Sequence, residues 1–125
     1  MEMTTNALNW FELPASDFDR AKRFYAAIFD FDMPEMQMGD TRMGFLLHER
    51  GKGVGGAIAQ GPGYTPSDAG TLVYLSGGND LSTVLARVEK AGGRIVAPKM
   101  AVGEHGNIAV FIDTEGNRVG LHSIN

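Results

Sequence analysis

No cysteine occurs in the 125 residues, so a disulfide framework, a zinc–thiolate site and a thiol nucleophile are all excluded. Positive charge is in deficit: 11 Lys+Arg stand against 15 Asp+Glu, a formal net charge of −4 with a pI near 5.2. That is the wrong sign for a protein held to phosphate backbones or anionic lipid, and neither nucleic acid nor a membrane surface is an expected partner. No stretch approaches the ~18 apolar residues of a membrane span. The first residues, Met1 to Asn6, have neither the basic start nor the apolar run of a secretory signal, so a cytoplasmic location is expected. A Ser-His-acid order and a phosphate loop are missing too. Gly51-Lys-Gly-Val-Gly55 lacks the P-loop spacing and the Ser/Thr after Lys.

What is present is ordinary globular usage, 43% hydrophobic and 21% charged, in a length that suits one domain. Seventeen glycines are spread along the chain, which predicts short strands joined by tight turns. Asn9 to Pro14 alternates, with Phe11 and Leu13 on one face and Trp10 and Glu12 on the other. Ser16 or Asp17 can cap a helix from about Phe18 to Phe29, whose Phe18, Ala21, Phe24, Tyr25, Ile28 and Phe29 recur at helical spacing. Met33–Met38, Arg42–His48 and Val54–Gln60 follow as short apolar runs separated by turn residues.

Residues 61–70, Gly-Pro-Gly-Tyr-Thr-Pro-Ser-Asp-Ala-Gly, form a linker, and beyond it the pattern restarts. Thr71 to Leu75 is expected as a strand. Asp80 or Ser82 then caps a helix carrying Leu81, Val84, Leu85, Val88 and Ala91, and Gly92-Gly93 stops it. Arg94–Ala97, Ala101–Val102 with an irregular loop at Gly103–Gly106, Asn107–Ile112 and Arg118–Ile124 supply the remaining strand pieces. Gly51-Lys-Gly-Val-Gly55 and Gly116-Asn-Arg-Val-Gly120 are both Gly-x-x-Val-Gly near the last strand of their half. The chain therefore reads as one domain of two βαβββ modules, about residues 7–60 and 71–125, each with an open apolar face that its copy can cover.

Phe11-Glu-Leu-Pro-Ala-Ser-Asp-Phe-Asp-Arg-Ala-Lys-Arg-Phe-Tyr25, Gly63-Tyr-Thr-Pro-Ser67, Glu89-Lys-Ala-Gly-Gly93 and the run from Phe111 through Asp113-Thr-Glu-Gly-Asn117 to Ser123 resemble the vicinal oxygen chelate superfamily. Glyoxalase I, bleomycin-resistance proteins and extradiol dioxygenases belong to it. The resemblance covers nearly the whole chain and implies an α+β fold in which two βαβββ modules form a cup-shaped eight-stranded sheet around a small ligand. It also implies a homodimer and, in the enzymes, a divalent metal held by four side chains. The positions matching those ligands here are Trp10, Gly55, Gly120 and a residue at or near Thr71. An indole, two glycines and a threonine do not supply the imidazole and carboxylate donors that hold zinc, nickel or iron, so no metal cofactor is expected.

Two residues along the same strands, Glu12 and His122 share the cup face by alternation. The expectation is that they lie near enough to interact, either satisfying each other, gripping the polar end of a ligand or acting as an acid–base pair. His105, beside Glu104, stands as a third candidate that would complete an atypical metal set with Glu12 and His122. Trp10 either offers a flat apolar surface to a ligand or fills the space a metal would leave, Thr71 at the start of the fifth strand is a candidate ligand contact, and Tyr64 lies in the linker where a lid could form. Met33, Met36, Met38, Met43 and Met100 are candidates for an adaptable lining. The reading is a small-molecule-binding protein that needs no metal and has no assigned activity. Its alternatives are a metal-dependent glyoxalase-like lyase or dioxygenase, and an antibiotic-sequestering resistance protein.

Overall fold

The computed structural model covers residues 1–125. In chain order the elements are β1 (Trp10–Pro14), α1 (Phe18–Phe29), β2 (Glu35–Met38), β3 (Thr41–Phe45), β4 (Gly55–Gln60), β5 (Tyr74–Ser76), α2 (Ser82–Val88), β6 (Arg94–Ala101), a 3-10 turn (Gly103–His105), β7 (Asn107–Ile112) and β8 (Arg118–Ser123). Helix α1 begins where the Asp17 carboxylate accepts the Arg20 amide at 3.1 Å. It ends at Asp30, which turns left-handed at φ 52° while its N–H bonds the Ala26 carbonyl. Its Phe18, Ala21, Phe24, Tyr25 and Ile28 are buried, as the helical spacing predicts.

The βαβββ unit does occur twice. Each copy builds a four-stranded sheet, ordered β1-β4-β3-β2 (sheet A) and β5-β8-β7-β6 (sheet B), in which the first strand pairs in parallel with the fourth. No hydrogen-bonded ladder joins the two sheets, so the eight strands stand as two four-stranded sheets that do not close on each other. The reason lies in where the apolar surface is buried. Leu13 and Ile58 of sheet A, the stripes of α1 and α2, and Leu75, Ala109, Phe111, Val119 and Leu121 of sheet B make one core cluster. Both helices thus serve both sheets, and the opposite face of each sheet points outward.

Several boundaries differ from the sequence reading: β2 starts at Glu35 instead of Met33, and β3 ends at Phe45 instead of His48. The fifth strand starts at Tyr74 instead of Thr71, because pairing with β8 begins only with the bond from the Gly120 N–H to the Val73 carbonyl. Helix α2 stops at Val88, short of Ala91. The pieces Arg94–Ala97 and Ala101–Val102 are one strand, β6, whose register against β7 shifts between Ile95 and Ala97 and again between Ala97 and Met100. Those bulges accommodate Pro98, which has no N–H to give a regular ladder.

The seam between modules is polar and buried. Tyr25 Oη donates to Asp113 Oδ2 at 2.7 Å, while Asp113 Oδ1 accepts the amides of Glu115 (2.8 Å) and Asn117 (2.9 Å). The Asn117 side chain donates to the Pro14 carbonyl at 2.7 Å and to Asp113 Oδ2, and accepts from the Ser67 amide. Glu115 reaches across to the start of α1, accepting the Ser16 and Asp17 amides and the Arg20 guanidinium at 2.7 Å. The Asp-Thr-Glu-Gly-Asn turn of the second module therefore caps the helix of the first. This fixes how the two outward faces are displayed.

Candidate functional site

Strand register identifies the outward face of sheet A. Trp10 pairs with Gly55, Glu12 with Ala57 and Pro14 with Ala59. Met43 and Phe45 on β3 lie beside Ala59 and Ala57, and Met36 and Met38 on β2 pair with Met43 and Thr41. Met43, Ala57 and Ala59, with Phe45 and Tyr64 packed on them, form a small apolar cluster separate from the main core. Trp10 stands edge-on to Phe45, centroids 6.1 Å apart. Glu12 is the one charged residue in this set. Tyr64 Oη donates to its Oε1 at 2.7 Å and Trp10 Nε1 to its Oε2 at 3.3 Å. The bond to Glu12, with burial and the carboxylate's charge behind it, holds the Tyr64 phenol above its ordinary pKa, so it stays a donor.

The outward face of sheet B carries Tyr74 and Ser76 on β5, Arg118, Gly120 and His122 on β8, and their partners Ile112, Val110 and Ile108 on β7. His122 is half-buried, and its Nε2 meets the His105 carbonyl at 2.5 Å. A carbonyl only accepts, so the Nε2 proton is fixed and Nδ1 is the nitrogen left for other chemistry. His105 contributes that backbone oxygen. Its ring is largely exposed, 4.0 Å from Glu104.

Glu12 and His122 do lie on outward strand faces, opposite the buried Leu13 and Leu121. The expected interaction between them does not form within one chain. They stand on different sheets, Glu12 bonded to Tyr64 and Trp10 and His122 to the His105 carbonyl. Tyr64 is drawn from the linker onto Glu12. Thr71 is exposed and outside any strand. The register partner of Gly120 is Tyr74, so Tyr74 takes the place in the second module that Trp10 takes in the first.

These positions test the metal site that the sequence resemblance implies. Trp10 with Gly55, and Tyr74 with Gly120, put an aromatic and a glycine at each pair of ligand places. Both glycines are close approaches: a Cβ on Gly55 would lie 3.0 Å from the His48 ring. One on Gly120 would lie 2.4 Å from the Tyr74 ring. Nowhere do three or more His, Asp or Glu side chains converge as a metal set would, and Glu12, His122 and His105 do not do so. The donors do not fit the group.

A cleft of about 760 Å³ opens between the modules, where edge strands β1 and β5 part. Phe11, Phe29, Leu46, Val73, Leu75 and Val84 make its apolar body. Gly55, His48, Tyr74 and Ser76 also border it. Through Gly55 and its partner Trp10, the cleft adjoins the outward face of sheet A. Phe45, His48 and Tyr74 were not foreseen as site residues. For His48 and Tyr74 the signal is the two glycines, each of which leaves room for a ring from elsewhere in the fold.

The sequence profile of the Glyoxalase/Bleomycin resistance protein/Dioxygenase superfamily matches residues 7–121. A Mycobacterium bovis protein, CFP32, whose name assigns it provisionally to the glyoxylases, is 27% identical over 120 residues, 94% of this chain and 45% of that protein. The chain thus spans about half the length of this curated relative. TnmS3, an antibiotic-binding protein from Streptomyces sp. CB03234, superposes with a TM-score of 0.64 at 24% identity over 98% of both chains. A second protein of that strain, described as a glyoxalase/bleomycin resistance protein, gives 0.67 at 25% identity, covering 92% of this chain and 98% of its own. Maize glyoxalase I, as an E144Q mutant, gives 0.72 at 22% identity over 94% of this chain and 46% of that one. The matched profile, the doubled βαβββ unit and the paired ligand positions lead to one assignment: the chain belongs to the glyoxalase/bleomycin resistance protein/dioxygenase superfamily.

Proposed function

We propose that the protein binds a small organic molecule against the outward face of sheet A, through Trp10, Glu12, Phe45 and Tyr64, without a metal. The observation that carries this reading is an apolar, aromatic sheet face with an oriented carboxylate and no cover of its own: Trp10 remains 42% exposed and Met38 56%. A protein rarely leaves such a face open without an occupant. The antibiotic-binding protein that shares this fold supports a small-molecule-binding role.

A second copy of the chain supplies the cover. Sheet B also leaves large apolar side chains outward, Tyr74 at 45% and Met100 at 55% exposure. The unpaired edges of β1 and β5 are free to extend across a twofold axis. In such a homodimer the sheet A face of one copy would be closed by the sheet B face of the other. The acid–base reading requires that arrangement, since one chain keeps the two groups on separate sheets.

Native mass spectrometry of the purified protein, with metal analysis of the same sample, tests the proposal. A dimer free of stoichiometric divalent metal that retains a small organic molecule is the expected result. A strict monomer without any bound molecule would overturn it. A metal lost in Glu12→Gln would overturn the metal-free reading.

A further inference from the structure

We infer that the ligand of the sheet A face is an organic cation, an amine or quaternary ammonium carrying apolar substituents. This rests on the reading that the face binds a ligand, and on nothing about its closure by a second copy. Three observations converge. First, Glu12 is the only charge that β1, β2, β3 and β4 turn outward; Arg42, Glu35 and Gln37 belong to the other side of the sheet by register. Second, Glu12 has only neutral donors, the Tyr64 hydroxyl and the Trp10 indole, and takes part in no ion pair. By contrast Glu115 meets Arg20, Asp80 meets Lys99, and Glu35 meets Lys22 and Arg42. A carboxylate offers about four acceptor positions, so two donors leave it both charged and unsaturated. Third, Trp10 and Phe45 stand at 63° to each other beside it, forming a corner of two ring faces.

A charge confined to an apolar face is costly to desolvate without an opposite charge. A ligand lacking positive charge would bury Glu12 uncompensated, and an anion would be repelled by it. A compact ammonium answers every feature at once: its charge sits on the carboxylate and over the ring faces, and its alkyl groups meet Met43 and the small Ala57 opposite Glu12. The chain's net charge of −4 draws cations toward the surface as well.

The protein has one tryptophan, and it is Trp10, so fluorescence excited selectively at tryptophan, beyond the absorption of the three tyrosines, reports this face. Choline and its neutral isostere 3,3-dimethylbutan-1-ol are the probes, titrated against the full chain. Choline should quench saturably with a Kd at least tenfold lower than the isostere, and 0.5 M NaCl should narrow that gap. Glu12→Gln, whose amide oxygen still accepts from Tyr64, should abolish the preference and leave the isostere within about twofold. Equal affinity for both probes, or a preference that survives Glu12→Gln in folded protein, overturns the cation assignment and leaves the binding reading standing. Absence of saturable quenching by either probe overturns both.

Discussion

Two carboxylates of this fold meet opposite fates. Asp113, in the seam between modules, is buried and accepts four bonds, from Tyr25, Glu115, Asn117 and the Asn117 side chain. Glu12, on the outward face of sheet A, is half-buried and accepts two, both from neutral aromatic side chains. The first is saturated by its own fold, so removing it must cost stability. The second is oriented but left short of partners, and its removal should cost recognition instead. The same chemical group therefore separates the part of the molecule that holds the modules together from the part that is open to a ligand.

The seam should break hardest. Asp113→Ala strands several buried donors at roughly 1–3 kcal/mol each, so a loss on the order of 4 kcal/mol is expected in urea unfolding. Tyr25→Phe removes one of those bonds and should cost about 1–2 kcal/mol by the same measurement. Burial, reinforced by Asp113, holds the Tyr25 phenol well above its ordinary pKa. A raised folded pKa contributes stability below the unfolded value, near 10, that fades as pH rises past it.

Acid should loosen the seam. Burial alone would raise the Glu115 pKa, but Arg20, the Asp17 amide and Thr114 outweigh it and hold the carboxyl below the ordinary range. Asp80, bonded first by Lys99 and then by Ser82, is lowered to about 2. Depressed folded values contribute stability that is full above the unfolded pKa and is lost as pH falls through the folded one. Thermal midpoints should therefore drop as pH falls below about 4.5, the unfolded carboxylate range. In Glu115→Gln the midpoint should start lower at pH 7 and fall less on acidification; an unchanged acid slope would contradict the account.

Smaller changes sharpen the other side. Tyr64→Phe should shift the unfolding free energy by under about 1 kcal/mol, because the exposed side of Glu12 can recruit water in its place. It should still weaken binding on the sheet A face by freeing the carboxylate to rotate, which titration of the Trp10 signal would read.

Much of this was legible in the residues. The stripe and cap of α1 specify its ends because a 3.6-residue period and an Asx oxygen act within one helix. Alternation likewise placed Glu12 and His122 on outward faces. What escaped were effects that depend on distant partners. Arg94–Ala97 and Ala101–Val102 read as separate pieces, yet β6 runs through Pro98 by shifting its register against β7. Thr71 reads as the start of a strand, yet β8 pairs only from Tyr74. Tyr64 lies 52 residues from Glu12, and nothing local announces their bond.

Urea unfolding of wild type, Glu12→Gln and Asp113→Ala side by side tests the division of labour most directly. The unfolding free energy of Glu12→Gln should lie within about 0.5 kcal/mol of wild type, the range of an ordinary surface change, while Asp113→Ala should show a large loss. Comparable losses in the two variants would make Glu12 a structural residue and remove the case for a ligand on that face.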